Sequence, residues 1–401
     1  MGTSKLTSFD LFTLNMAIKG AWLYRNAPDF EGMKKALARL SELYPQLGGR
    51  YDEKSKSLVW ADGQTVTLPF ASCDLRAYSV DELKGNAKVW SLVKEYDLKA
   101  FKSGKAMPFS ALLGYLQDGA VLYVQCAHAT MDGAAFYELV NQWAALYRGV
   151  AVRPMVADPS QIPAEDCLSR EETLRQVCEK GWIRVRFRQL FKMIWNLERN
   201  KRIRTTYDIE VSQNEIQRLK ELSGAGTNAV LAAIAIQALS RHMPNCRPFR
   251  LLFVADLRER VTGISRDFFG NASQPVIAEG LFDPKDETAA LASRIDLSLG
   301  NMLTSGRVEE NVRLSLCCSH YGLPYFYFDA SDMNCPDPGT IYFNNQLKFR
   351  PCELEWGHGL PEYAFPNELT DMVKFWQPVA SGPVRIIFGG LASKIMETPI
   401  P

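Results

Sequence analysis

The sequence lacks an excess of charge of either sign. Its 401 residues include 46 Lys and Arg and 45 Asp and Glu, which gives a formal net charge of +1. This balance argues against a chain that binds nucleic acid over its whole surface, because such chains normally carry a basic excess. With 47% hydrophobic and 23% charged residues, the composition is typical of globular proteins, and the length suffices for two or three domains.

A long apolar run is also missing. The longest one, at residues 229–239, is interrupted by Gln237 and is too short to span a bilayer. The first twelve residues, MGTSKLTSFDLF, contain no apolar core followed by a small-residue cleavage site. We therefore expect a soluble, cytoplasmic protein.

The nine cysteines follow no pattern. Only Cys317 and Cys318 are close in sequence, and adjacent residues suit neither an ordinary disulfide nor a zinc knuckle. We therefore expect free thiols in a reducing compartment. Of the four histidines, His242 and His320 lack metal-ligand spacing, so neither a metal site nor a permanently bound cofactor is predicted.

Helical and strand patterns occur in both halves of the chain. Turns at Asp62 and Gly63 and at residues 117–119 are each expected to join two strands into a hairpin. The mixture, which lacks strict βαβ alternation, predicts two α/β domains with mixed sheets. Predicted helices cover residues 29–44, 133–147, 213–222 and 227–242; predicted strands cover 57–60, 65–68, 109–116, 120–127, 205–211, 249–254, 325–328, 340–343 and 384–388. We place the N-terminal half at 1–165, a crossover segment at 166–204 and the C-terminal half at 205–401.

His128 is the strongest candidate for a catalytic group. It ends a predicted strand and precedes a short turn, at Asp132 and Gly133, that leads into a helix. An imidazole at such a position can act as a general base near neutral pH. A histidine that only packs against the turn is the alternative.

Five motifs lie in the same order as in one known enzyme family. The string from His128 to Gly133 resembles the HxxxDG motif of the BAHD acyltransferases, which use acyl-CoA. HxxxDG alone is weak, because condensation domains and wax-ester synthases share it. The other four are LTSFD at residues 6–10 for the opening LSxLD, LSELYPQLGGR at 40–50, DLRER at 256–260 followed by FGNA at 269–272 for DxRxR…YFGNA, and EWGHGLP at 355–361 for DFGWGKP.

The resemblance implies two chloramphenicol-acetyltransferase-like domains, each a mixed sheet flanked by helices, with a channel between them. It implies that His128 removes the proton of an alcohol or amine acceptor, which attacks the thioester of an acyl-CoA co-substrate without an acyl-enzyme. Bringing donor and acceptor to one base makes the reaction effectively unimolecular. The family's motif aspartate, here Asp132, points away from the site and pairs with an arginine, for which Arg258 is the matching position.

Two motifs depart from the family pattern. Plant members have Thr-Ser-Trp before DFGWG, where this chain has Asn344, Asn345 and Gln346. We expect the Asn344 amide to contact the oxyanion or the acceptor, although it can also be a plain strand-end residue. Gln346 in place of an aromatic residue suggests a more polar acceptor pocket.

The second departure is in DFGWG, which the family keeps away from the reacting atoms. Trp356, Gly357 and Gly359 are interpreted as a packed turn, and His358 as structural.

Two further segments have open interpretations. Thr227 and Asn228 begin a helix after a glycine-rich loop and could bind the pantetheine or phosphates of CoA, or only cap the helix. Residues 182–204 form a basic, aromatic segment that could contact an anionic membrane or lie near CoA phosphates, or be a solvated helix with one packed face.

Other functions on the same fold are considered. A condensation-type enzyme would use a carrier-protein thioester, but its motif often has a doubled histidine, and position 127 is Ala. A non-catalytic binding protein would not need His128, Asp132 and Arg258. The expected partners are a small-molecule acceptor and acyl-CoA, with no nucleic acid, and the expected state is a monomer. The sequence specifies neither the acyl chain nor the acceptor.

Overall fold

The computed structural model describes residues 1–61, 66–162, 168–200, 203, 205–243, 246–326, 339–366 and 372–400. Up to residue 147 the strands are β1 (Gly2–Lys5), β2 (Ala17–Tyr24), β3 (Arg50–Asp52), β4 (Ser57–Trp60), β5 (Phe70–Asp74), β6 (Phe109–Leu116) and β7 (Gly119–Ala127). The helices of this part are α1 (Ser8–Phe12), α2 (Phe30–Leu43), α3 (Val80–Leu83), α4 (Leu98–Lys102) and α5 (Gly133–Tyr147).

The strands that follow are β8 (Ile183–Arg184), β9 (Thr206–Val211), β10 (Arg250–Asp256), β11 (Ser273–Ile277), β12 (Tyr325–Phe326), β13 (Thr340–Asn345), β14 (Tyr363–Phe365), β15 (Val373–Trp376) and β16 (Val384–Gly389). The helices are α6 (Arg170–Glu179), α7 (Phe187–Asn200), α8 (Gln213–Ser223), α9 (Thr227–Arg241), α10 (Thr288–Met302), α11 (Ser305–His320) and α12 (Gly390–Met396).

The main sheet of the first half is mixed and five-stranded, in the order β14-β2-β7-β6-β5, and a separate three-stranded sheet has the order β1-β4-β3. β5 and β6 are parallel and the other pairs are antiparallel. The predicted hairpin of β6 and β7 is confirmed, because two apolar runs flank a turn at Gln117 and Asp118. α2 and α5 cover one face of this sheet, and the indole N–H of Trp143 donates to the carbonyl oxygen of Met33 at 2.9 Å.

Helix α2 begins as its sequence predicts. Asp29 is its N-cap and accepts a hydrogen bond from the amide of Gly32 at 2.6 Å. Met33, Leu37 and Leu40 lie on one stripe and are buried. Burial of this stripe against α5 is what stabilises the helix in the folded chain.

The second half contains a mixed six-stranded sheet in the order β11-β10-β13-β15-β16-β9. β13 is parallel to both β10 and β15, and the remaining pairs are antiparallel. α9 packs an alanine-rich, almost fully buried surface on this sheet, with α10 beside it. Two mixed α/β sheets flanked by helices confirm the predicted fold class.

The two halves share core residues. Phe269 and Trp376 belong to the second half but pack within the core of the first, where Phe269 stacks on Tyr44 at 5.1 Å between ring centroids. In addition, β14 pairs with β2 and extends the sheet of the first half. The domain bounds at 165/166 and 204/205 stay predictions, and residues 163–167 and 204 lie outside the described residues.

Some predicted elements are wrong or lie elsewhere. β4 pairs with β1 and β3, so within the described residues no hairpin joins it to residues 66–68. Asp62, Gly63 and Thr65 of the predicted hairpin lie outside the described residues. β12 is a two-residue strand that pairs with β8, and residues 327 and 328 are also outside. The strand predicted at 384–388 is β16, and a helix that was not predicted, α12, follows it.

Within the part of the chain that the structure describes, no single helix is long and apolar enough to cross a bilayer. The pair α8 and α9 passes on length and composition only when the two helices are taken together, across a bend of 104°.

Candidate active site

His128 lies at the junction of the two halves. It directly follows β7 and opens a short 3₁₀ turn, His128–Thr130, before α5. Its backbone amide donates to the carbonyl oxygen of Met16 at 2.9 Å, and its own carbonyl oxygen accepts from the Thr13 hydroxyl at 3.1 Å. These contacts fix the backbone from which a partly buried imidazole projects.

The side chain of Asn271 contacts His128 twice. Its amide nitrogen donates to the His128 carbonyl oxygen at 2.8 Å, and its amide oxygen lies 3.0 Å from imidazole Nδ1. A carbonyl oxygen only accepts, so the orientation of the Asn271 amide follows from the first contact. The amide oxygen therefore faces Nδ1, and Nδ1 must donate its proton.

Asp10 holds Asn271 in this orientation. One carboxylate oxygen accepts from the Asn271 amide nitrogen at 2.7 Å. The other accepts from the Thr7 backbone amide at 2.7 Å and from the Thr7 hydroxyl at 2.8 Å. Burial raises the pKa of Asp10, and the hydrogen bonds from Asn271 and Thr7 oppose this shift. Three distant segments thus meet around the imidazole.

This network leaves Nε2 as the basic nitrogen of His128. In neutral imidazole one nitrogen carries the proton and the other a lone pair. Within the described residues no hydrogen bond engages Nε2. Burial lowers the pKa of His128, and the charge of Asp132 and the contact with Asn271 only partly offset this. The imidazole is therefore neutral near pH 7, as a general base must be.

Asp132 pairs with Arg258, from the second half of the chain. Arg258 donates from Nη1 to Asp132 Oδ2 at 2.8 Å and from Nη2 to Oδ1 at 3.1 Å, so the pair is bidentate. The side chains are only 3% and 6% exposed. Asp132 also caps α5 by accepting from the Ala135 amide at 3.0 Å and accepts from the Ala272 amide at 2.9 Å. It therefore points away from the imidazole and fixes the residue next to Asn271.

Arg258 is held by further acceptors. Its Nη1 lies 3.0 Å from Asp256, its Nε donates to the Phe268 carbonyl oxygen at 3.0 Å, and Nη2 donates to the Gly270 carbonyl oxygen at 3.1 Å. Gly270 has a φ of +151°, and a Cβ there would lie 2.7 Å from the Phe268 ring. The site thus requires glycine at this position.

Asn344 lies on β13, on the face of the second sheet that is turned to the first half. Its register partner on β15 is Lys374, whose partner on β16, Ile387, packs within the core of the first half. The next residue, Asn345, lies on the opposite face, where its amide nitrogen is 3.4 Å from the Asn228 side-chain oxygen. The described hydrogen bonds do not join Asn344 to His128, so its contact with the oxyanion stays a prediction.

Thr227 and Asn228 lie at the start of α9, as predicted. Neither residue is the N-cap, however, in contrast to the sequence prediction. Gly226 is the N-cap, and its amide donates to the Asp296 carboxylate at 3.0 Å. A carboxylate already lies at this helix N-terminus, where it interacts favourably with the helix dipole. Contact of Thr227 and Asn228 with CoA stays a prediction.

Trp356, Gly357 and Gly359 form a turn packed on the first half, away from His128. Trp356 is fully buried, its indole N–H donates to the Tyr24 hydroxyl at 3.1 Å, and it packs edge-on against Trp143 at 5.0 Å. The two glycines have φ values of +87° and +106°, in the region that favours glycine.

His358 is exposed at this turn, with Nε2 3.3 Å from the Tyr147 hydroxyl. The imidazole therefore borders the packed turn, at a distance from the network around His128.

Neither Asn271 nor Asp10 is predicted from the sequence to have a role. Both residues lie inside quoted motifs, Asn271 in FGNA and Asp10 in LTSFD. An asparagine within such a motif could have indicated a hydrogen-bonded positioning residue, because a buried amide must find both a donor and an acceptor. Its partners could not be identified from sequence, since they lie 143 and 261 residues away.

One family model matches most of this chain, and solved structures share its fold. The model of a family described as the Transferase family matches residues 3–287. No curated protein sequence matches this chain.

Three solved structures illustrate the similarity of fold. F. sporotrichioides TRI101 complexed with coenzyme A and T-2 has a TM-score of 0.70 at 15% identity, covering 100% of this chain and 98% of the other. Vinorine synthase has a TM-score of 0.68 at 14% identity, covering 99% and 92%. The first condensation domain of the calcium-dependent antibiotic synthetase, in complex with a substrate analogue, has a TM-score of 0.62 at 14% identity, covering 97% and 91%. At these identities the likeness shows the fold.

Proposed function

The chain belongs to the Transferase family, the family of the BAHD-type acyltransferases, and on this basis we propose that it transfers an acyl group from acyl-CoA to an alcohol or amine, with His128 as general base. The observation that carries the proposal is the fixed tautomer of His128. Asn271 engages Nδ1 at 3.0 Å, and Nε2 is the nitrogen left to accept a proton.

In the proposed reaction Nε2 takes the proton of the acceptor while its oxygen or nitrogen attacks the thioester carbonyl carbon. A tetrahedral oxyanion forms and then collapses with cleavage of the carbon–sulfur bond. The imidazolium of His128 returns its proton to the departing thiolate, which leaves as free CoA. The Asn271 oxygen accepts from Nδ1–H and so stabilises the imidazolium while it exists.

Two neighbours support the donor and acceptor classes. The TRI101 structures hold coenzyme A together with a small molecule, T-2 or deoxynivalenol. An acyl-CoA co-substrate and a small-molecule acceptor are the corresponding expectation for this chain. Asn344 is proposed as the donor to the oxyanion, since its face of the sheet is turned to the first half.

The test is a screen of acyl-CoA donors against alcohols and amines, with CoA release as the readout. His128→Ala should lower kcat/KM by at least about 10³-fold for an active pair, because a base and the proton it returns are lost together. The matched control is His358→Ala, at an exposed histidine, which should retain activity. Full activity of His128→Ala would contradict the mechanism.

A condensation-type enzyme is the alternative, supported by the similarity of fold to a condensation domain. The residue before His128 is Ala127, which is fully buried on β7. A second histidine is therefore not available at that position. Turnover with a carrier-protein thioester, but with no acyl-CoA in the same screen, would favour the alternative. Binding of free CoA in calorimetry would favour acyl-CoA.

A further inference from the structure

Helix α7 presents an apolar face to solvent. Its sequence FRQLFKMIWNLERN places apolar side chains at three- and four-residue steps, so that they lie on one side of the helix. We call this surface the α7 face. Its members, with exposed fractions, are Phe187 (82%), Leu190 (40%), Phe191 (60%), Ile194 (50%) and Trp195 (64%).

This exposure differs from that of the other amphipathic helices. In α2 the corresponding stripe, Met33, Leu37 and Leu40, is buried against the sheet. Isolated exposed apolar residues are ordinary on protein surfaces, but five adjacent ones, three of them aromatic, form a contiguous patch. Such a patch on a folded chain is typical of a surface that another molecule covers.

The helix is anchored at its first end. Trp182 is buried with Val177 and Leu314, and β8 pairs with β12 immediately before the helix begins. The register partners Ile183 and Phe326 in this ribbon are also exposed, at 36% and 39%. The α7 face therefore follows a short paired ribbon that itself exposes two apolar side chains.

Cations border this surface. Residues 182–204 contain eight of the 46 basic residues of the chain and a single acidic one, Glu198. Those within the described part are exposed: Arg184, Arg186, Arg188, Lys192 and Arg199. Because the whole chain carries a net charge of only +1, the remainder is net acidic and this segment is a local concentration of positive charge.

We propose that the α7 face docks on an anionic phospholipid surface. Aromatic and aliphatic side chains on one side of a helix, with Lys and Arg beside them, suit the boundary between acyl chains and headgroups. The apolar side chains would enter that boundary, and the cations would lie at the level of the phosphates. A second copy of the chain does not match as well, since it would place two strongly basic segments against each other. The proposal does not rest on the transfer reaction.

The test is co-sedimentation of the full chain with phosphatidylcholine vesicles, with and without about 30% phosphatidylserine. Binding is expected only with phosphatidylserine and should weaken at about 0.5 M salt, where charges are screened. Arg188→Gln with Lys192→Gln should reduce the partition coefficient about 25-fold, at about fivefold for each cation. Phe191→Ser with Trp195→Ser should reduce it at least about tenfold.

Matched controls come from exposed leucines elsewhere. Leu222→Ser and Leu297→Ser change residues of α8 and α10 that are 62% and 68% exposed, and should leave binding unchanged. Near-UV circular dichroism of each variant shows whether it is folded. The Trp195→Phe variant keeps the apolar face, and the difference between its fluorescence and that of the unchanged chain reports whether Trp195 enters an apolar phase.

Three results would overturn the proposal. One is equal binding to neutral and anionic vesicles, and another is binding that the α7 variants do not alter. The third is failure to bind either vesicle while sedimentation velocity shows self-association that Phe191→Ser with Trp195→Ser abolishes. That outcome would assign the α7 face to contacts between copies.

Discussion

Replacing Asp132 by Ala tests whether the buried ion pair maintains the site. The change removes both carboxylate oxygens and with them four hydrogen bonds, two from Arg258 and two from the Ala135 and Ala272 amides. The guanidinium of Arg258 stays behind with a side chain that is 6% exposed. A buried charge without its partner costs about 3–5 kcal/mol.

The expected loss lies near the lower end of the combined range for a stranded charge and a lost N-cap. Asp256, 3.0 Å from Arg258 Nη1, retains one counter-charge, so the pair itself should contribute about 3 kcal/mol. Loss of the N-cap of α5 adds about 1 kcal/mol. We expect Asp132→Ala to lower the free energy of unfolding by about 4 kcal/mol in urea titrations followed by circular dichroism. Activity should fall as well, because Asp132 accepts from the residue next to Asn271.

Two further variants serve as a control and as a rescue of Asp132→Ala. Asp81→Ala breaks a surface ion pair with Arg25. The Arg25 side chain is 40% exposed and the Asp81 side chain 72%, so this variant should leave the urea midpoint unchanged. Arg258→Met in the Asp132→Ala background removes the stranded charge and should restore part of the stability. A loss below about 1 kcal/mol for Asp132→Ala, or no recovery in the double variant, would refute the reasoning.

Three further predictions follow from the site. The lowered pKa of His128 places the acid limb of the kcat/KM profile below pH 6.5, since the imidazole must lose its proton to act as base; a midpoint above 6.5 would contradict the burial argument. Asn344→Ala should lower kcat about 10²–10³-fold if the amide binds the oxyanion, whereas Asn345→Ala, on the opposite sheet face, should leave kcat near its original value in CoA-release assays. Gly270→Ala should lower the free energy of unfolding by about 2 kcal/mol in urea titrations, because the new methyl group would lie 2.7 Å from the Phe268 ring. Gly300→Ala, in α10, where a methyl group meets no other atom, should raise it by about 0.5–1 kcal/mol.

Local patterns account for the elements that the sequence predicts well. α2, α5 and the β6–β7 hairpin each have their capping residue, stripe or turn within a short stretch. The hairpin predicted for β4 across Asp62 and Gly63 is wrong, because β4 forms its hairpin with β3, across residues 53–56. Its other partner, β1, is distant in sequence, and pairing with a distant strand leaves no local signal. No helix was predicted for α10, whose buried positions include Ala292 and Ser298 and give a weak apolar period.

The candidate site shows the same division. His128 is identified from its position at a strand end and from the motif around it. Its tautomer depends on Asn271 and Asp10, and the burial of Arg258 depends on the packing of the two halves. These are tertiary contacts. A sequence motif can therefore identify the residues, but it cannot show which of them contact each other.

Strand β14 has a consequence for how the chain can be divided. It pairs with Ala21, Trp22 and Leu23 of β2, which would otherwise lie at an open edge of the first sheet. A chain that ended after the first half would lack Phe269 and Trp376 from its core and would offer the unpaired backbone groups of β2 to other copies. We expect such a fragment to aggregate, and a synthetic peptide spanning residues 355–366, added during refolding, to suppress the aggregation. A strand from late in the sequence thus protects the first sheet from pairing with other copies of the chain.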